Sequence, residues 1–228
     1  MDTSDIWTLE SVDRDGAIQE TAARVDPDTR AAFLKKAGIG FGAVAGSGAV
    51  LGALPGIASA AVPGSDVAIL NFALTLEYLE AAFYAAAKAN KVAVGQQNLT
   101  AFVSVVAAHE AAHVKFLQGA LGRKAVKQPK FDFKNAVTDQ AKFAATAQVL
   151  EDTGVQAYLG QVGNIKNKKI LAAAGSILPV EARHAAWIRE INGKFTGGEP
   201  LPAPAAFQSA KTKAQILAAV KGTGFIVG

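Results

Sequence analysis

The chain of 228 residues is long enough for one ordinary domain with extensions, half of it is hydrophobic and only 18% is charged. It has no cysteine, which excludes disulfides, thiolate chemistry, zinc fingers, iron–sulfur clusters and lipoprotein acylation. The net charge of +4 is uneven: residues 1–28 hold eight acids and two arginines, whereas residues 61–228 hold eighteen Lys or Arg and eleven Asp or Glu. A basic domain can suit nucleic acid. Here the lysines are scattered and not interleaved with aromatics, so nucleic acid is not an expected partner. Helix formers dominate after residue 65 and β-branched alternation is rare, which predicts an all-α fold.

Residues 1–60 read as an acidic leader followed by an export signal. Thr29-Arg-Ala-Ala-Phe-Leu-Lys-Lys36 is a basic flank, 37–57 is a Gly-rich stretch without charge, and Ala58-Ser59-Ala60 fits a small-residue cleavage site. The flank resembles a twin-arginine (Tat) signal, with Ala31 where the second arginine should stand. An uncleaved membrane anchor through 37–57 is the alternative, since that length just spans a bilayer. Either way the expected location is outside the cytoplasm, in the periplasm, cell envelope or medium.

The bundle is expected over residues 61–195. A first helix runs from Val67 to Asn90, with Ser65-Asp66 as its N-cap, and carries Glu77, Glu80 and Tyr84 on one stripe. A second runs from about Gln97 to Leu121 and carries Glu110-Ala-Ala-His113. Gly122 to Asp132 is too long for a tight turn, and could carry the chain back along the bundle so that the second and third helices run parallel. The third helix spans Phe133 to Asn164, with an irregularity expected at Gly154, and carries Glu151 and Tyr158. The fourth spans Lys168 to Asn192 and carries Glu181-Ala-Arg-His184. Pro179 either kinks it or is accommodated there, and a free carbonyl beside the site is a consequence. Residues 196–228 form a Pro-rich strap, a short helix from Lys213 to Val220 capped by Thr212 and Gln215, and an apolar Phe225-Ile-Val end that docks on the bundle.

The acids on apolar helix faces follow the order Glu, Glu-x-x-His, Glu, Glu-x-x-His. Each Glu and His three apart share a helix face. Four carboxylates and two imidazoles suit two divalent ions. Buried together without metal, four ionised carboxylates would repel one another by several kcal/mol. The expected ligands are therefore Glu77, Glu110, His113, Glu151, Glu181 and His184. Glu80 is a seventh ligand, a proton relay or an edge residue facing solvent. Tyr84 and Tyr158, each seven residues beyond a Glu, are candidate catalytic groups whose hydroxyls can orient the ligands. His109 points roughly 100° away from Glu110 and reads as an outer contact or a surface residue.

Leu74-Thr-Leu-Glu-Tyr-Leu-Glu-Ala-Ala-Phe-Tyr84, His109-Glu-Ala-Ala-His113, Leu150-Glu-Asp-Thr-Gly-Val-Gln-Ala-Tyr158 and Ile177-Leu-Pro-Val-Glu-Ala-Arg-His184 resemble the ferritin-like superfamily, and within it the exported "desiccation-related" proteins. The resemblance implies an antiparallel four-helix bundle with one long crossover between the second and third helices. It implies a pair of iron or manganese ions, alike or mixed, as cofactors and O2 or H2O2 as a small oxidant. A homodimer is left open. The superfamily spans ferroxidases, peroxidases, catalases and oxygenases, so it does not fix a reaction. The competing expectations are a dimetal oxidoreductase, a non-catalytic metal-binding or structural stress protein, and an iron-storage cage.

Overall fold

The computed structural model describes residues 62–196 and 201–227, side chains of 194–196 aside. The acidic leader, the export signal and the first residues of the strap lie outside the described residues. Four long helices, α1 (Gly64–Ala89), α2 (Gln97–Leu121), α3 (Gln140–Val162) and α4 (Lys168–Thr196), form the bundle, and a short α5 (Lys213–Thr223) closes the chain.

Side-chain pairings give the direction of every helix. Tyr84 meets Glu151 and Tyr158 meets Glu77, so α1 and α3 are antiparallel. His113 meets Glu181 and His109 meets His184, so α2 and α4 are antiparallel. Asn71 meets Lys124 at one end of the α1–α2 pair and His113 meets Glu77 further along, so those two are antiparallel as well. With α2 and α3 both opposed to α1, they run parallel, as the long connection requires. That connection is pinned along α1: Asn71 Nδ2 donates to the Lys124 carbonyl, Asn71 Oδ1 accepts from Val126 N, and Tyr78 Oη donates to the Val126 carbonyl.

α1 is the central helix because its apolar residues cover two faces. Leu70, Leu74, Glu77 and Tyr84 form one buried stripe, and Phe72, Leu76, Leu79 and Phe83 form another. It is long and apolar enough to cross a membrane, but 61% of that stretch is buried in the bundle, as befits a core helix. Phe83 stacks on Phe143 at 5.2 Å and meets Phe133 edge-on at 5.4 Å; Phe133 in turn meets Phe225 edge-on. Each such ring contributes about 1.5–3 kcal/mol through burial. The C-terminal end docks through this cluster, but only Phe225 is buried; Ile226 and Val227 are exposed. Ile226 bridges backbone to Phe131 in the crossover instead.

Several boundaries differ from expectation for identifiable reasons. α1 begins at Gly64, before the expected Ser65-Asp66 cap. Asp66 is buried and accepts from Asn167 N at 2.8 Å and Lys166 N at 3.2 Å, so it ties the α3–α4 turn and not its own helix end. The third helix does not begin at Phe133. A 3-10 turn at Lys134–Val137 intervenes, and Asp139 caps α3 by accepting from Lys142 N. Gly154 leaves α3 regular. Pro179 lies inside an unbroken α4; the carbonyl it leaves without a donor belongs to Gly175, an exposed residue, so it meets solvent and not the site. α5 ends three residues later than expected, at Thr223, and carries the capping box between Thr212 and Gln215. The strap crosses α3 at Gly160: Lys211 N donates to the Gln156 carbonyl at 3.2 Å, and a Cβ on Gly160 would lie 2.0 Å from the Lys211 oxygen. Only glycine permits that crossing.

A buried carboxylate–histidine centre

The regular spacing of each helix turns its acidic stripe toward the bundle axis, where the four stripes meet. Glu77, Glu110, Glu151 and Glu181 are fully buried, and His184 nearly so. They fall into two overlapping groups: Glu77, Glu110, His113 and Glu181, and Glu110, Glu151, Glu181 and His184, with the donor atoms of each group within 4.8 Å of one another. Glu110 and Glu181 belong to both. His113 Nδ1 lies 3.2 Å from Glu77 Oε2, 3.2 Å from Glu110 Oε2 and 3.1 Å from Glu181 Oε1. His184 Nδ1 lies 3.1 Å from Glu110 Oε1 and 3.2 Å from Glu151 Oε2.

These spacings test whether a metal fits. Ligand atoms about 2.1 Å from one ion and at right angles around it lie about 3 Å apart. The observed separations have that size. Glu110 Oε1, Glu151 Oε2, both oxygens of Glu181 and His184 Nδ1 are buried without a hydrogen-bond partner. Burying a polar atom without a partner is costly; ion pairing with His113 and His184 offsets part of that cost, but Glu181 Oε2 has no such neighbour. Five such atoms converging on one spot, all hard oxygen or imidazole donors, fit divalent cations.

The tyrosines exchange partners. Tyr84 on α1 donates a short hydrogen bond to Glu151 Oε1 on α3, and Tyr158 on α3 donates to Glu77 Oε1 on α1 at 2.5 Å. Burial and the adjacent carboxylates hold both phenols well above their usual range, so both stay protonated and donate. Each bond occupies the carboxylate oxygen that does not face a histidine and leaves Oε2 of Glu77 and of Glu151 aimed at the centre.

Glu80 is 3% exposed, which removes the solvent-edge reading. It lies over Gly154, where a Cβ would meet Glu181 Oε2 at 3.0 Å and Glu80 Oε1 at 3.3 Å. The missing side chain on α3 makes the room that these two carboxylates occupy. His109 is exposed, yet its Nδ1 lies 2.8 Å from His184 Nε2. Sequence alone left it as either an outer contact or a surface residue, because helical geometry on α2 does not reveal what α4 brings alongside.

The electrostatics describe a centre that holds protons in place of cations. Burial, then the charges of Glu110 and Glu77, keep Glu181 well above the usual carboxylate range. Burial and four neighbouring carboxylates do the same to Glu80. Glu110 is pushed up to about 7 by burial and by Glu77. Burial also raises Glu77, but the charge and hydrogen bond of His113 outweigh it and the net shift is downward. Burial lowers both imidazoles; Glu77, Glu110 and Glu181 more than reverse this at His113, which lies far above the usual imidazole range. Glu110 and Glu151 raise His184 to about 10. His109 moves the other way, down to about 4, through burial and the positive charges of its two fellow histidines. A cation bound at the centre would therefore displace protons.

Residues 65–194 match the model of a family described as a ferritin-like domain, more than half of the chain. The chain belongs to the ferritin-like family. Its four-helix bundle with a short terminal helix is the ferritin-like architecture, and the carboxylate–histidine centre lies within the matched residues. No curated protein matches this ferritin-like chain.

Proposed function

We propose that this chain is an exported dimetal carboxylate protein, carrying two iron or manganese ions, that reacts with O2 or peroxide or oxidises Fe2+ in stress protection. The observation that carries the reading is the sharing of Glu110 and Glu181 between two donor groups, each completed by one histidine and one further glutamate. The "desiccation-related" subtype and export through the Tat-like leader are part of the same proposal, and rest on the motifs and on residues 29–60.

Bound in such a pair, iron or manganese supplies the electron transfer that reduces O2 or peroxide or accepts electrons from Fe2+. The chain's own residues do the rest. Glu110 and Glu181 would be shared by both ions, Glu77 and His113 would help hold one, and Glu151 and His184 would help hold the other. Tyr84 and Tyr158 hold Glu151 and Glu77 in orientation and stand nearest as hydrogen-bond donors to the reacting centre. Leu74, Phe102, Val106 and Ala147 are buried in the apolar clusters that contain Tyr84 and Tyr158 and would keep bulk water from that side. Metal analysis of the chain from its native compartment, followed by stopped-flow peroxide and O2 consumption with iron- and manganese-loaded protein, tests this. Two metals per chain and turnover above free metal are expected; no turnover with either metal sinks the redox reading.

Glu80 favours a second reading. A fifth buried carboxylate, a seventh candidate ligand, can close a position that a catalytic centre leaves open, which would make the metal structural and the protein a non-catalytic stress protein. In that case metal raises the melting temperature without peroxide or O2 consumption, and E80A opens activity that the wild type lacks.

A further inference from the structure

The chain has three histidines, and all three meet at the centre, although only two of them face the carboxylates. We infer that His109 is a positioning residue for one half of the centre: its Nδ1 accepts the Nε2–H of His184 and thereby holds His184 in the tautomer and orientation that present Nδ1 to the ion. This inference rests on the metal reading above.

The geometry is specific. His184 Nδ1 faces Glu110 and Glu151 at 3.1 and 3.2 Å, inside the second donor group, while its Nε2 lies 2.8 Å from His109 Nδ1. The rings lie at 22° with centroids 5.1 Å apart. An imidazole that binds a cation through Nδ1 carries its proton on Nε2 and must give that proton an acceptor. Among the described residues His109 Nδ1 is the acceptor within reach. Its own proton is then on Nε2, directed away from His184. His113 has no equivalent: its Nδ1 faces Glu77, Glu110 and Glu181, and no described residue accepts from its other nitrogen. The two halves, alike in ligand type, differ in this outer contact. Loss of such a partner typically weakens metal affinity 10–100-fold, so the effect should fall on one of the two ions.

The test is a Co2+ titration of the full chain, followed by visible absorption, in the wild type and in H184A, H109F and H109N. H184A identifies the binding step that depends on His184. H109F keeps a ring at the exposed position and removes the acceptor; H109N removes the ring and keeps an oxygen where Nδ1 stood. The expected result is a roughly 10–100-fold weakening of the His184-dependent step in H109F, no change in the other step, and near wild-type behaviour in H109N. Equal weakening of both steps, an unaffected H109F, or an H109N as weak as H109F overturns the inference while leaving the metal reading intact. A wild-type chain that binds no Co2+ overturns the metal reading and the inference together. His109 is exposed, so the variants should fold; circular dichroism of the metal-free proteins checks this.

Discussion

α1 and α3 carry matching side chains at matching spacings. On α1 these are Glu77, then Glu80 three residues on, then Tyr84; on α3 they are Glu151, then Gly154, then Tyr158. α2 and α4 match in turn through Glu110/His113 and Glu181/His184. The likeness holds at every group that faces the centre of the bundle and fails at two places. Where α1 has a carboxylate, α3 has a glycine that gives it room. Where His184 has an imidazole behind it, His113 has none among the described residues. The two halves thus share donors and differ in what surrounds them, so two ions held there would sit in unequal environments.

The comparison is broken most completely at the shared carboxylates. E110A or E181A removes a donor from both groups at once, and metal content by elemental analysis should fall from two ions toward none, whereas E77A or E151A should remove about one. An equal loss in all four variants would mean that the groups do not overlap as the distances suggest.

The protons come next. In the metal-free protein Glu110 is raised to about 7 and His184 to about 10. Both bind protons more tightly folded than unfolded, from unfolded values near 4.5 and 6.5. Their contribution to stability is full below those unfolded values and is lost as pH rises through the folded ones. Asp66 runs the opposite way at lower pH. Burial raises it, but hydrogen bonds from Asn167 N and Lys166 N lower it further, so its contribution appears above about 4 and is lost on acidification. His109, held down to about 4, gains stability as pH rises toward 6.5 and opposes Glu110 there, so the melting temperature of metal-free protein should fall clearly from pH 7 to pH 10, and added Mn2+ should reverse the trend because metal takes the place of the protons. A metal-free melting temperature that rises over that range would refute the protonated-centre picture.

The tyrosine pair sharpens the likeness. Y84F and Y158F each delete one hydrogen bond to a buried carboxylate, worth about 1.5–3 kcal/mol, and denaturant unfolding of the two variants should give losses of similar size. The smallest effect expected is at Gly154. G154A adds a methyl 3.0 Å from Glu181 Oε2, and overpacking of about 1–3 kcal/mol is partly offset by the roughly 1 kcal/mol helix preference of Ala over Gly. E80A in that background should relieve the crowding, and failure to do so would separate Gly154 from Glu80.

Much of this was legible because helices advertise themselves through spacing. Glu-x-x-His twice and Glu…Tyr twice, on apolar faces with caps and breakers between them, placed the four helices, the third starting seven residues too early, and picked out the groups that meet at the centre. What escaped depended on which helix stands beside which. The stripe on α1 shows that Tyr84 is buried, but seven residues along a helix put it too far from Glu77, and only the antiparallel α3 supplies its partner. Asp66 reads as a cap for the helix it begins because the turn at Lys166-Asn167 is a hundred residues away. Gly154 looks like a helix weakness until two carboxylates from other helices are found above it. Local rules carry periodicity and termini; they carry no register between segments.

The exchange of partners between Tyr84 and Tyr158 has a mechanical consequence. The two bonds are rungs between α1 and α3, seven residues or about 10 Å apart along the axis. One rung would leave the helices free to pivot about it and to slip. Two rungs of opposite sense form a brace: a pivot about one displaces the other, so the register of α1 against α3 is fixed at two levels. Glu77 and Glu151 are thereby held in place by protein contacts alone, so an ion bound between them would meet donors already positioned.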